Sequence, residues 1–99
     1  MNVHSIHFDA DAKLVAFIEE KLEKLTVFHD HILNAEVFLR LEHDGANREN
    51  KVVEIRLNVP GPDLFAKRQG KSFEEAAINC AEALRNQVER NKPRLRQAS

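Results

Sequence analysis

Ala35-Glu36-Val37-Phe38-Leu39-Arg40-Leu41-Glu42 decides the fold. Ala35, Val37, Leu39 and Leu41 alternate with Glu36, Phe38, Arg40 and Glu42. A period of two is that of a strand with one face on a core and one toward water. Downstream, Val53, Ile55, Leu57 and Val59 repeat the pattern against Val52, Glu54, Arg56 and Asn58. The polar stretch between them, His43 to Asn50, reads as a hairpin loop. Pro60-Gly61-Pro62-Asp63 predicts a turn, and Leu64 to Gln69 a further strand before Gly70. Upstream, Val3 to Phe8 reads as a short strand with Ile6 and Phe8 on one face.

Two helices complete the pattern. Asp9 and Asp11 are candidate N-caps for a stripe of Leu14, Phe17, Ile18, Leu22, Leu25 and Phe28 at helical spacing. Lys21 falls inside that stripe, where its methylenes must run along the core edge and its ammonium reach water. Ser72-Phe73-Glu74-Glu75 is a capping box that opens a second stripe, Phe73, Ala77, Cys80, Leu84 and Val88. Pro93 is expected to end or kink this helix, leaving 94–99 as a mobile basic tail. The first two strands, joined by a helix, pair in parallel through a right-handed crossover. The remaining strands pair antiparallel. The expectation is α+β: a two-layer β-α-β-β-β-α sandwich, a four-stranded mixed sheet with two helices on one face.

The chain of 99 residues is sized for one domain. It offers no apolar run able to span a membrane. Met1 to His7 has no basic segment leading into an apolar one, so no signal peptide is expected. A single cysteine builds no internal disulfide framework, which fits a cytoplasmic protein. The net charge is −1, but residues 1–50 carry −5 and residues 51–99 carry +4. The last stretch sets Arg90, Lys92, Arg94 and Arg96 against Glu89 alone. Such a patch binds polyanions whatever the total charge, because fields near a surface are local. A solvated helix end accounts for the same residues, since cations also complement the helix dipole.

Chemistry is harder to find. Gly45, Gly61 and Gly70 are isolated and form no phosphate-cradling loop, and no nucleophile elbow is present. His29-Asp30-His31, with His43 and Asp44, lacks the convergent ligand set of a metal site. Cys80 lies on an apolar stripe and reads as a buried small hydrophobe. Glu19, Glu20 and Glu23 read as a solvated helix face. No catalytic residue, metal or cofactor is expected. What remains is a basic set suited to phosphate oxygens: Lys21 and Lys24, Lys67, Arg68 and Lys71 around the start of the second helix, Arg85 on its exposed side, and Arg90, Lys92, Arg94 and Arg96 at its end. With no Trp or Tyr, stacking on free single strands is disfavoured and a folded RNA read by backbone and shape is favoured.

Lys21-Leu22-Glu23-Lys24-Leu25, Lys51 to Leu57 through Gly61, Ser72 to Ala77, Ala83 to Val88 and the cations after it together resemble the short ribosome hibernation-promoting factors and ribosome-associated inhibitors. The resemblance rests on order, length and spacing over nearly the whole chain. It implies a fold similar to double-stranded-RNA-binding domains. It also implies binding to the small ribosomal subunit and its ribosomal RNA in the messenger and transfer RNA channel, which silences idle ribosomes under stress or in stationary phase. Contact roles carry over to Lys21, Lys24, Arg90, Lys92, Arg94 and Arg96. Lys67, Arg68, Lys71 and Arg85 are added on charge alone. Longer family members carry a further C-terminal domain that dimerises ribosomes, and none is expected here. A monomer with no DNA or membrane partner is expected. The alternatives are a stand-alone double-stranded-RNA-binding domain and a protein-interaction domain that uses the open sheet face. An enzyme fits least.

Overall fold

The computed structural model describes residues 1–6, 9–26, 32–42 and 50–98, with backbone alone from residue 91. The element order is β1 (Asn2–Ile6), α1 (Ala12–Thr26), β2 (Asn34–Leu41), β3 (Lys51–Asn58), β4 (Leu64–Gly70) and α2 (Phe73–Ala98). The strands form one mixed sheet in the order β1-β2-β3-β4, with β1 parallel to β2 and both later pairs antiparallel. This is the expected α+β architecture.

Local chemistry sets the ends of the elements. The Asp11 carboxylate accepts from the Lys13 amide at 2.8 Å, and the Asp11 carbonyl accepts from the Val15 amide, so Asp11 is the N-cap of α1. At α2, Ser72 Oγ accepts from the Glu75 amide at 3.1 Å. The Glu75 carboxylate reaches back one residue beyond the cap, to the Lys71 amide at 3.2 Å. Gly61 holds φ of +91°, which the turn between β3 and β4 requires and side-chain-bearing residues rarely adopt.

The core lies between the sheet and the helices. Val37, Leu39, Val53, Ile55, Leu57 and Ala66 supply the sheet side; Ile18, Leu22 and Leu25 of α1 and Ala77, Cys80, Leu84 and Val88 of α2 supply the other. Contacts at Ala76, Cys80 and Gln87 show that α2 runs antiparallel to β4: Ala76 lies by Gly70, Cys80 Sγ donates to the Val53 carbonyl at 3.0 Å, and Gln87 Nε2 donates to the Phe65 carbonyl at 2.8 Å. The last bond satisfies a carbonyl on β4, which is an edge strand among the described residues.

Four expectations need correction. On β1, the register Val3↔Val37 and Ser5↔Leu39 turns Val3 to the core, so Ile6 faces the open side and is 39% exposed. Parallel pairing decided this, since a slip of one residue exchanges the faces. Phe8 and Phe28 lie outside the described residues. Leu41 is exposed, because β1 ends at Ile6 and Gly70 on β4 brings no side chain to its row. Val52, expected on the polar face, is fully buried there. Its partners on either side, Arg40 and Gln69, both reach the Glu42 carboxylate, and their chains cover it. Finally, of the two outcomes expected at Pro93, an end or a kink, the helix does not end there but runs on to Ala98. Proline there costs one backbone hydrogen bond, to the carbonyl of Glu89, and the helix carries on past the gap.

Cys80 is a core group. Burial pushes its thiol from 9.0 up to about 11, the largest cause being loss of solvation, with nearby Arg68 opposing. The neutral thiol is therefore favoured in the folded chain. Its contribution to stability is complete below about pH 9 and is lost as pH rises toward 11. Native protein at pH 8 should resist alkylation of Cys80 and react at once in denaturant, as read by mass spectrometry. In urea titrations, Leu84→Ala should lose about 2–5 kcal/mol and Ser72→Ala about 1 kcal/mol.

Candidate nucleic-acid interface

The basic residues do not form one patch. β4 separates three of them by simple alternation. Lys67 pairs in register with Glu54 on the open sheet face and lies 3.9 Å from its carboxylate. Arg68 points to the opposite face, its Nη1 donating to the Lys67 carbonyl at 2.7 Å. Lys71 sits exposed at the junction into α2.

The open sheet face is largely self-neutralised. Arg40 bridges Glu42 and Glu54, and Glu54 also meets Lys67. His4 stacks on Phe38 with ring centroids 4.9 Å apart. Cations tied to carboxylates leave little net field for a polyanion.

The helix side differs. Lys21, Lys24 and Arg85 converge on a shallow groove of about 450 Å³ between α1 and α2. Leu25, Ile78 and Ala81 give it an apolar floor, and among the described residues Glu82 is the one acid in its lining. Lys21 is held by position: its Nζ lies 5.1 Å from the centroid of the Phe17 ring, a cation–π contact. Lys24 pairs with Glu20 at 4.0 Å and Arg85 with Glu89 at 3.2 Å, each one helical turn away and solvent-exposed. Exposed pairs of this kind are worth little and exchange readily for another anion.

Helical spacing sorts the later cations of α2 by face. Lys92 and Arg96 stand seven and eleven residues after Arg85 and so fall on the same face of α2. Arg90 and Arg94 fall roughly 140° to 180° around the axis, on the far face. Past Gln87, which bonds the second residue of β4, α2 outruns the sheet by roughly 15 Å at 1.5 Å per residue. The basic end of α2 thus extends past the end of the sheet.

The sequence expectation named the cations but missed the groove between them. Ile78 and Glu82 were hidden because they are neither basic nor on the apolar stripe. A signal existed: Ile78 lies off that stripe, with Glu82 and Arg85 four and seven residues later. Among the described residues, no group of three or more His, Cys, Asp or Glu could hold a metal. His29, Asp30, His31, His43 and Asp44 lie outside the described residues. No helix among them is long and apolar enough to cross a membrane.

Comparison with known proteins adds the family. Residues 1–96 match the family described as Sigma 54 modulation protein / S30EA ribosomal protein. The ribosome hibernation promotion factor of Deinococcus radiodurans is 31% identical over 78 residues, which are 79% of this chain and 41% of that protein. The chain thus spans about two fifths of the length of this relative. A ribosomal subunit interface protein from Coxiella burnetii superposes with a TM-score of 0.81 at 18% identity, covering 93% of this chain and 96% of that one. The N-terminal domain of Thermus thermophilus Protein Y gives 0.70 at 19% identity, over 91% and 98%. The two structures share the fold seen here, and the match over residues 1–96 makes this chain a member of the Sigma 54 modulation protein / S30EA ribosomal protein family.

Proposed function

We propose that this protein associates with ribosomes and holds them inactive by occupying the messenger and transfer RNA channel of the small subunit. The observation that carries this reading is the convergence of Lys21, Lys24 and Arg85 on one helix-side groove, continued by the cations at the end of α2. The D. radiodurans relative is named for ribosome hibernation and the C. burnetii neighbour for the ribosomal subunit interface, which supports the same partner. The family is not one of enzymes, and the action is occlusion without a chemical step. It takes place in the cytoplasm, where ribosomes are, and is called on under stress or in stationary phase.

The contacts assigned to ribosomal RNA are Lys21, Lys24, Arg85, Arg90, Lys92, Arg94 and Arg96. Lys67, tied to Glu54 on the open sheet face, takes a lesser part, as do Arg68, on the helix side of β4 but outside the groove lining, and Lys71 at the helix start. RNA phosphates replace the weak exposed partners of Lys24 and Arg85, and counterions leave the RNA.

Co-sedimentation with purified bacterial ribosomes and separated subunits, across a salt series, tests this. Binding should concentrate on the small subunit. With about seven phosphate contacts, affinity should fall at least about 1,000-fold between 50 and 200 mM salt. Lys21→Glu with Lys24→Glu should weaken pelleting and lower the salt slope by about two. Failure to pellet at low salt would overturn the reading. Equal affinity for naked duplex RNA would replace it with a general duplex-binding role.

A further inference from the structure

We infer that the groove between α1 and α2 receives an unpaired RNA base, with guanine preferred. This rests on the reading of the helix side as an RNA-contacting surface, and adds what that surface recognises.

A site for phosphates alone needs cations and water. This groove has both more and less than that. Its floor is apolar, formed by Leu25, Ala81 and Ile78, and Ile78 is left 39% exposed. An aliphatic side chain standing among cations is a surface that a flat organic group can cover and a phosphate cannot. The groove volume of about 450 Å³ exceeds that of a single base. Phosphates on either side of the base meet Lys21, Lys24 and Arg85.

Glu82 decides which base. A carboxylate among three cations repels phosphate, so as a backbone contact it is misplaced. As a reader of a base edge it has a purpose. Its two oxygens accept two parallel N–H donors in a charge-assisted, bidentate pair. Guanine offers adjacent N1–H and N2–H donors on its Watson–Crick edge. Uracil offers one N–H between two carbonyls, and those carbonyls oppose the carboxylate. In a duplex this edge is already paired, so only an unpaired base can present it. Among the described residues no aromatic ring lines the groove, so the base is held by its edge and by aliphatic contact. Selectivity is its main contribution, and the cations supply most of the affinity.

The test is methyl and amide NMR titration of the intact chain with GMP, UMP and ribose 5-phosphate. GMP should shift the Ile78 and Leu25 methyls and bind about tenfold more tightly than UMP, as a charge-assisted pair allows. Ribose 5-phosphate should move only signals of Lys21, Lys24 and Arg85. Glu82→Gln should erase the GMP preference, and Ile78→Ser should weaken GMP while sparing ribose 5-phosphate. Equal affinities for GMP and UMP, or methyl shifts reproduced by ribose 5-phosphate, would overturn the base site. Ribosome pelleting that still depends on Lys21 and Lys24 would then leave the RNA-contacting surface standing. Pelleting indifferent to both lysines would remove that surface as well.

Discussion

The burial of one face of α2 against β3 and β4 is the constraint on which the rest depends. Cys80, Leu84 and Val88 are fully buried, and the Cys80 thiol and Gln87 amide bond strand carbonyls on β3 and β4. Once that face is fixed, helical geometry leaves no freedom for the others. Ile78, Glu82 and Arg85 must turn toward α1, and Lys92 and Arg96 must follow them along the axis. The same packing sets how far α2 extends beyond the sheet. A core interaction thus places the candidate interface without taking part in it.

The second layer explains why the interface lies on the helices and not on the sheet. The far face of the sheet carries a network of paired charges beside exposed Ile6 and Phe65. Arg40, Glu42, Glu54, Lys67 and Gln69 form a connected network across β2, β3 and β4. Its chains bury Val52, and its charges cancel. By contrast, Lys24 and Arg85 of the helix groove form exposed pairs with carboxylates on their own helices, and such pairs are weak. The chain therefore presents a sheet face with a cross-strand ion-pair network and a helix face whose ion pairs are exposed and within one helix. The near-neutral total charge conceals this division.

Much of the fold was legible from the chain because period and capping are local. The alternation in Ala35 to Glu42 and in Val52 to Val59 gave two strands with the correct inward face over most of their length. Asp11 and the Ser72 capping box marked the helix starts. The misreadings occur where a neighbour in space overrules the local pattern. Ile6 faces outward because the parallel register with β2 says so. Val52 is buried because Arg40 and Gln69 reach the same carboxylate. Lys67 and Arg68 look like one basic pair in the sequence and are separated by the pleat.

Spacing along the chain was enough for the element order, the helix starts, the mixed sheet with its two covering helices, and the identity of the cations, because each is a local property. The tertiary structure alone decided which cations meet. Lys21 and Lys24 stand some sixty residues from Arg85, and they share a groove only because α1 and α2 pack side by side on one sheet face. The place of Ile78 and Glu82 between them was settled the same way. The angle at which a helix presents its remaining faces is fixed by the face it buries, and that depends on residues far away in the chain.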